Sequence, residues 1–142
     1  MPIELTDEMS ENVNGARVNN KACLFGTASA DGWPSIGYRG SMMVFDKDHL
    51  AYWERSRRDG LAHIQENPKV LVWYRDPENR AAAWKFYGHV IIHEDGDIRE
   101  QVWERVVDVE KTPDPEKKGL AVLIEVDYVE TFSGQKLQER EK

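Results

Sequence analysis

The chain has 142 residues and a formal net charge of −7, with 40% hydrophobic and 32% charged residues. An acidic chain is a poor candidate for coating nucleic acid, and no apolar run approaches the roughly 20 residues of a membrane-spanning helix. The acidic N-terminus lacks the character of a signal peptide, and the one cysteine, Cys23, cannot form an intramolecular disulfide. We therefore expect a cytoplasmic protein without nucleic-acid or membrane partners, folded as a single domain over residues 1–142.

The first half of the chain predicts one helix and three strands. Thr6 precedes two acidic residues and is a suitable N-cap for a helix within residues 5–20. Gly37 and Gly40 interrupt the second strand, and glycine within a strand often marks a bulge or a close approach by another group. The three strands are β-prone runs separated by turn residues, at 23–28, 35–45 and 50–53.

The second half of the chain predicts two helices and three strands. A short helix at 59–66 ends at Asn67-Pro68, and an amphipathic pattern predicts another helix at 97–110. Residues 1–9 and the polar residues 133–142 are expected to be loose tails. The strands are rich in β-branched and aromatic residues or alternate between apolar and polar, at 70–74, 82–93 and 120–129.

These elements predict an α+β fold with an antiparallel six-stranded sheet and two to three flanking helices. Successive strands joined by short turns favour antiparallel pairing. Six strands with glycine kinks also favour closure of the sheet into a small barrel, which removes exposed strand edges.

The segment between the third strand and the short helix is the strongest candidate for a binding site. Arg55, Arg57 and Arg58 lie within four positions of an acidic chain. Asp59 could cap the helix that follows, and free N–H groups at a helix start, together with guanidinium groups, would suit a phosphate ester. The alternative is a solvated charged turn, because runs of charge usually lie on the surface.

Several motifs occur in a fixed order around this segment. Ser56-Arg57-Arg58 is followed by a short helix ending in Asn67-Pro68 and then by a hydrophobic strand. Arg39 lies on the preceding strand, and Gly88 closes the run Trp84–Tyr87. This order resembles the pyridoxamine 5′-phosphate oxidase-like family, with its Ser-Arg-Lys motif, short helix and Asn-Pro, from about residue 10 to residue 130. Members of that family bind flavin mononucleotide (FMN) on a split β-barrel.

The resemblance implies an FMN-binding split β-barrel and nominates its cofactor contacts. Arg39, Arg57 and Arg58 would hold the phosphate, and the small residues Gly40 and Ser41 would let the backbone reach the edge of the flavin ring. For Met42 and Tyr52 the alternative role is core packing, and for Arg39 it is a surface position or a salt bridge. The implied cofactor-binding residues are Arg39, Gly40, Ser41, Met42, Tyr52, Trp53, Ser56, Arg57 and Arg58.

Two departures from the family bear on the reaction. The namesake oxidase has a C-terminal extension with arginine and histidine contacts to the vitamin phosphate, and residues 135–142 contain no such motif. Val44 stands where the namesake has a lysine that closes its first flavin-contacting strand. We therefore do not expect the chain to oxidise pyridoxamine phosphate. The resemblance implies an FMN-dependent oxidoreductase for another small molecule, active as a homodimer that buries FMN at its interface.

Three other functions are compatible with parts of this sequence. A deazaflavin-dependent reductase and a non-enzymatic flavin- or haem-binding protein remain alternatives, whereas the net charge disfavours a barrel that binds single-stranded nucleic acid. No catalytic residue can be assigned, because hydride chemistry belongs to the cofactor. His89 and His93 share a strand face beside Glu94, but no further ligand completes a site, so no metal is expected.

Overall fold

Short apolar runs separated by turn residues fold into strands throughout this chain. A computed structural model describes residues 1–55 and 59–141, and within these ranges the backbone forms four helices and eight strands. In chain order they are α1 (Asp7–Gly15), β1 (Cys23–Ala28), β2 (Pro34–Arg39), β3 (Met43–Asp46), β4 (His49–Glu54), α2 (Asp59–Glu66), β5 (Lys69–Asp76), β6 (Asn79–His93), α3 (Gly96–Arg105), α4 (Asp108–Lys111), β7 (Leu120–Thr131) and β8 (Lys136–Glu139).

The strands pair antiparallel in the order β2-β1-β5-β6-β7-β4-β3, and β8 adds to β7. The long strands β6 and β7 pair from Trp84 opposite Thr131 to His93 opposite Ala121. Helix α1 packs near β3, α2 over β1, and α3 over β4 and β7. The predicted α+β class, an antiparallel sheet with a few flanking helices, is therefore confirmed.

The described residues form eight strands rather than the predicted six, and one difference lies in the second strand. The predicted strand 35–45 divides into β2 and β3, and the N–H of Met42 donates to the Arg39 carbonyl (3.4 Å) across the turn between them. Here the Ser41 hydroxyl accepts from the N–H of Trp53 (2.9 Å) and donates to its carbonyl (3.3 Å). A side chain thus replaces the ladder bonds that a continuous strand would make.

The other difference lies in the tails, which the structure does not leave loose. Strand β8, within 133–142, pairs with β7, and the N–H of Glu139 donates to the Met1 carbonyl at 2.7 Å. Ile3 and Leu5 are buried, so the first residues pack onto the main core as well. The two tails stabilise each other, a long-range pairing that local composition does not reveal.

The predicted helix at 97–110 is two helices, α3 and α4. Val106 ends α3 with an extended backbone (ψ 134°), and its side chain is buried. Val102 and Val106 both pack against the sheet, and the helix breaks at Val106. The amphipathic pattern of the sequence did not indicate this break. No helix in the described portion of the chain is long and apolar enough to cross a membrane.

Two hydrophobic cores lie on opposite faces of β4 and β7. The main core contains Tyr52 with Phe25 and Ile124, and the second, under α3, contains Trp53 with Val102. Neighbouring residues of one strand belong to different cores because successive side chains point to opposite faces of a sheet. Because of this alternation, only every second side chain of β4 can reach any one site.

A bulge interrupts the pairing of β6 with β7 at Gly88. Gly88 lies opposite Val126 and the residue before it lies opposite Tyr128, so Asp127 is an extra residue on β7. A Cβ at Gly88 would collide with the carbonyl oxygen of Glu125, which accounts for the glycine. Bulges re-aim nearby side chains, and this one directs the side chain of Asp127 toward β6.

Candidate functional site

Arg39, at the end of β2, extends across the mouth of the barrel. Its guanidinium carbon lies 4.9 Å from the ring centre of Phe25 and 5.5 Å from that of Tyr52. Nη1 donates to the Tyr38 carbonyl at 2.9 Å, and Nη2 lies 3.9 Å from the carboxylate of Glu54. The side chain is 23% exposed, so this guanidinium sits over aromatic faces while one edge remains accessible.

Arg39 Nε and the Tyr52 hydroxyl are buried in this cluster beside the carboxylate of Glu54, without a hydrogen bond of ideal geometry among the described residues. Burial raises the pKa of the Tyr52 hydroxyl, and the negative charge of Glu54 adds to the effect, so this phenol stays protonated. Both groups are therefore donors. Buried donors are almost always satisfied in folded proteins, and the carboxylate of Glu54 is the acceptor within reach of both.

Glu54 is the residue of this cluster that the sequence analysis missed. It ends β4 two positions after Tyr52, and its buried carboxylate lies beside Arg39. The sequence contained a signal for this position, because side chains two positions apart on a strand lie on the same face, and residues 52 and 54 therefore share one. An anion that binds Arg39 must compete with this carboxylate.

Helix α2 is fixed over the end of β1, immediately after the arginine-rich segment. Leu61 and Ile64 are buried, and Nδ1 of His63 lies 3.4 Å from the Thr27 hydroxyl. The carboxylate of Glu66 accepts from the N–H of Ala30 at 3.3 Å. These contacts hold α2 against β1.

Ser56, Arg57 and Arg58, the central residues of that hypothesis, lie outside the described residues. The structure gives their two flanks, Arg55 after β4 and Asp59 at the first position of α2. Their assignment to a phosphate clamp stays a prediction.

Gly40, Ser41 and Met42 follow Arg39 in the predicted set of flavin contacts, and each of them is packed or hydrogen-bonded against other parts of the same chain. A Cβ at Gly40 would collide with the side chains of Arg17 and Glu110, which form a 3.0 Å ion pair. The Ser41 hydroxyl bonds to the backbone of β4, and Met42 is buried in the main core. Their backbone contacts to a flavin ring also stay predictions.

Trp53 and Tyr52 do not face the same side of the sheet. The Trp53 ring packs 4.8 Å from Trp103 and lies under the guanidinium of Arg99, 4.9 Å away. Its Nε1 donates to the Asp114 carboxylate at 2.8 Å. The indole thus belongs to the second core, and of this adjacent pair Tyr52 is the one whose side chain meets Arg39.

Asp114 is a buried carboxylate that joins β4 to the segment before β7. Besides Trp53, its oxygens accept from the N–H groups of Lys118 and Gly119, both at 2.9 Å. Burial alone would raise the pKa of Asp114, but the hydrogen bond from Trp53 and the two backbone amides outweigh it and hold the pKa below its usual range. A lowered pKa means that folding is stabilised while this carboxyl is ionised.

We expect Asp114→Asn to lower the free energy of unfolding at pH 7 by about 1–3 kcal/mol, because an amide –NH₂ would face an N–H donor. The wild-type contribution is present above the ordinary aspartate pKa and is lost as the pH falls through the lower folded-state pKa. The difference between the two proteins should therefore shrink in acid. Urea unfolding at pH 7 and at pH 3 measures both effects, and a constant difference would contradict the assignment.

The outer face of β2, β1, β5 and β6 is apolar and exposed. A cavity of about 560 Å³ on this face is lined by residues that include Ile36, Leu71 and Tyr87. Ile36 is 67% exposed and Tyr38 is 71% exposed. Tyr38 also lines a second cavity of about 260 Å³ with Trp73. Large exposed apolar patches commonly mark sites of interaction with another molecule.

The chain matches the family model of pyridoxamine 5′-phosphate oxidase over residues 5–133. None of the curated proteins matches it. HupZ of Group A Streptococcus is a similar solved structure, with 23% identity, a TM-score of 0.73, and coverage of 93% of this chain and 98% of that one. A putative pyridoxamine 5′-phosphate oxidase from Lactobacillus delbrueckii has 25% identity, a TM-score of 0.68 and coverage of 89% and 93%. An FMN-binding protein from Syntrophomonas wolfei has 12% identity, a TM-score of 0.67 and coverage of 86% and 84%.

The family match spans nearly the whole chain, and the antiparallel sheet with α2 between β4 and β5 agrees with the element order that the motifs predicted. The fold is the split β-barrel of these relatives. By its sequence and its fold, the chain belongs to the pyridoxamine 5′-phosphate oxidase family.

Proposed function

We propose that this protein binds FMN and acts as an oxidoreductase on a small molecule other than pyridoxamine phosphate. The observation that carries the proposal is the guanidinium of Arg39, which is held over the rings of Phe25 and Tyr52 with one edge accessible, beside the strand end that leads into the arginine-rich segment. The oxygens of a phosphate monoester would accept from that edge. Family membership and the similar fold of the FMN-binding protein from Syntrophomonas wolfei support a flavin as the source of that phosphate.

The residues at the barrel mouth fit a phosphate better than a neutral group. The rings of Phe25 and Tyr52 hold the guanidinium of Arg39 in one orientation, which reduces the entropy lost on binding. Arg57 and Arg58, from the segment that follows β4, would add two positive charges. Together the three arginines would offset both the phosphate and the nearby carboxylate of Glu54.

The roles of the chain would be binding, orientation and exclusion of water. The flavin ring, when bound, supplies the electron-transfer chemistry, which explains why no acid–base or nucleophilic motif is present in the sequence. Arg39 would fix the phosphate end of the cofactor. Backbone groups of Gly40, Ser41 and Met42, and of Trp53, are the proposed contacts for the rest of the molecule.

A second copy of the chain would complete the site. The apolar outer face of β2, β1, β5 and β6 is the surface we propose for a homodimer, with FMN bound at the interface. Ile36 and Tyr38 would be covered by the partner. A cytoplasmic location is proposed with this function, since flavin and nicotinamide electron donors occur there.

The test is a titration of purified, flavin-free protein with FMN. We expect one FMN per chain, with the visible absorption bands of the oxidised flavin shifted from those of free FMN and co-eluting with the protein. The same titration with riboflavin, which lacks the phosphate, should show much weaker binding. If saturating FMN leaves no flavin on the protein after gel filtration, the proposed function is wrong.

A further inference from the structure

Two histidines and a glutamate meet on three adjacent strands, far from the barrel mouth. Glu125 on β7 lies directly opposite His49 on β4 and directly opposite His89 on β6. Residues directly opposite each other put their side chains on one face of a sheet. His49 begins β4 and Glu54 ends it, so about 17 Å of strand separates this cluster from Arg39 and Glu54.

The Nε2 atoms of both imidazoles point to the same carboxylate. Nε2 of His89 is 2.9 Å from one oxygen of Glu125, and Nε2 of His49 is 3.9 Å from the other. Ligand atoms around a tetrahedral zinc ion with bonds of 2.0–2.1 Å lie about 3.3 Å apart. His89 is already closer to Glu125 than that value and His49 is farther away, so an ion at Glu125 would require the His49 side chain to rotate toward it.

The other nitrogen of each imidazole is already held by a carboxylate. Nδ1 of His89 lies 3.0 Å from Asp127, the extra residue of the bulge. Nδ1 of His49 lies 2.9 Å from both Asp46 and Asp48. Metal-bound histidines almost always donate their second N–H in this way, which fixes the tautomer and aims Nε2 at the ion. Here both rings have that orientation.

The close approach of His89 to two carboxylates needs a positive charge. A neutral imidazole has one N–H and one lone pair, so whichever of Asp127 and Glu125 accepts the N–H of His89, the other carboxylate faces the lone pair at 2.9–3.0 Å. Two lone pairs at that distance repel unless a proton or a metal ion lies between them. The surrounding charge favours a cation, since the four carboxylates of Asp46, Asp48, Glu125 and Asp127 and the single guanidinium of Arg140 have a net charge of −3.

The cluster is accessible and partly enclosed. The side chains of His49, His89 and Glu125 are 20%, 35% and 30% exposed. A cavity of about 840 Å³, lined in part by His89, Glu125, Asp127 and Arg140, opens onto it. Arg140 is held in place by the Val126 carbonyl (3.0 Å), so it borders the cavity without filling it.

We propose that His49, His89 and Glu125 form a binding site for one divalent first-row metal ion of the zinc type, with Asp127 and the Asp46–Asp48 pair orienting the two imidazoles. Imidazole and carboxylate are suitable ligands for such ions, and three protein ligands leave one coordination position open. From the sequence alone no metal was expected, because the only apparent partner of His89 was His93 on the same strand. The partners of His89 are instead brought to it by strand pairing.

The test is calorimetric titration of chelator-stripped, full-length protein with zinc chloride at pH 7.5, with no flavin present. We expect one ion per chain in the wild type. His89→Gln and His49→Gln should each weaken binding at least about 100-fold, and Asp127→Asn about tenfold, which is the usual range for residues that orient a ligand. His93→Gln is the matched control, since it removes an imidazole from the same strand outside the cluster, and its affinity should equal that of the wild type.

Thermal melting of the same samples shows whether each variant is folded. Zinc should raise the melting temperature of the wild type and of His93→Gln but not of His89→Gln. Glu125→Gln, which keeps the shape of the side chain, serves where a histidine variant fails to fold. The visible spectrum of the cobalt-substituted protein should change in the ligand variants. Equal zinc affinity in wild type and His89→Gln, or no binding at all, would overturn the proposal and leave a protonated ion-pair network that joins the strands.

Discussion

Replacing Arg39 by methionine is expected to weaken FMN binding by about 100-fold while leaving riboflavin binding within about threefold of the wild type. A hydrogen bond to a charged group contributes about 1.5–3 kcal/mol, and each 1.4 kcal/mol is tenfold in affinity. Methionine keeps the aliphatic packing against Phe25 and Tyr52 but removes the charge and the N–H donors of the guanidinium. The loss should therefore be confined to the ligand that carries a phosphate.

Fluorescence titrations with FMN and with riboflavin measure both affinities. Arg105→Met is the matched control, because Arg105 also lies over an aromatic ring, 5.1 Å from Phe45, but extends from α3 on the other face of the sheet. It removes the same charge from the protein and should leave both titrations unchanged. Equal losses for FMN and riboflavin would mean that Arg39 supports the fold rather than the phosphate.

The double variant Arg57→Ala, Arg58→Ala extends the same experiment to the segment that the sequence singled out. If these arginines also hold the phosphate, FMN affinity should fall and riboflavin affinity should not. Wild-type FMN affinity in this variant, with a loss in Arg39→Met, would restrict the phosphate site to Arg39. Wild-type affinity in both variants would remove the phosphate clamp from the proposal altogether.

Local signals in the sequence predicted the elements that meet at the mouth of the barrel. Helix α2, its stop at Asn67-Pro68 and the β-prone runs on either side followed from propensity and turn chemistry, which act over a few residues. The position of Glu54 beside Arg39 was accessible in principle, because the period of two along β4 puts it on the face of Tyr52. The same period explains why Trp53 faces the second core instead.

The sequence could not predict contacts that depend on strand register and on pairing between distant segments. His49, His89 and Glu125 are 40 and 36 positions apart and meet because β4 and β6 both pair with β7 in one particular register. Strand β8 pairs with β7, and its Glu139 also bonds to Met1 at the other end of the chain. Composition classed both ends as loose tails, and no local pattern indicates which distant segment will pair with them.

Charged substitutions on the outer face of β2 are expected to convert a dimer into a monomer without unfolding the chain. In Ile36→Glu, Tyr38→Glu, two residues that are 67% and 71% exposed would place carboxylates on the apolar surface that we propose the partner covers. A stable interface buries about 1,200–2,000 Å² in total, and uncompensated charges at its centre are strongly unfavourable. Exposed substitutions change the stability of an isolated fold by only about 0.5 kcal/mol, so the monomer should remain folded.

Light scattering coupled to gel filtration measures the result, with the wild type expected at twice the chain mass of 16.4 kDa and the double variant at 16.4 kDa. Val18→Glu is the control, because Val18 is 67% exposed but follows α1, outside this face, and should leave the dimer intact. Because the flavin is proposed to lie at the interface, the monomeric variant should also lose FMN affinity although Arg39 is unchanged. A folded monomer that binds FMN as tightly as the wild type would show that one chain is sufficient for the site, and a double variant that stays dimeric would place the interface on another face.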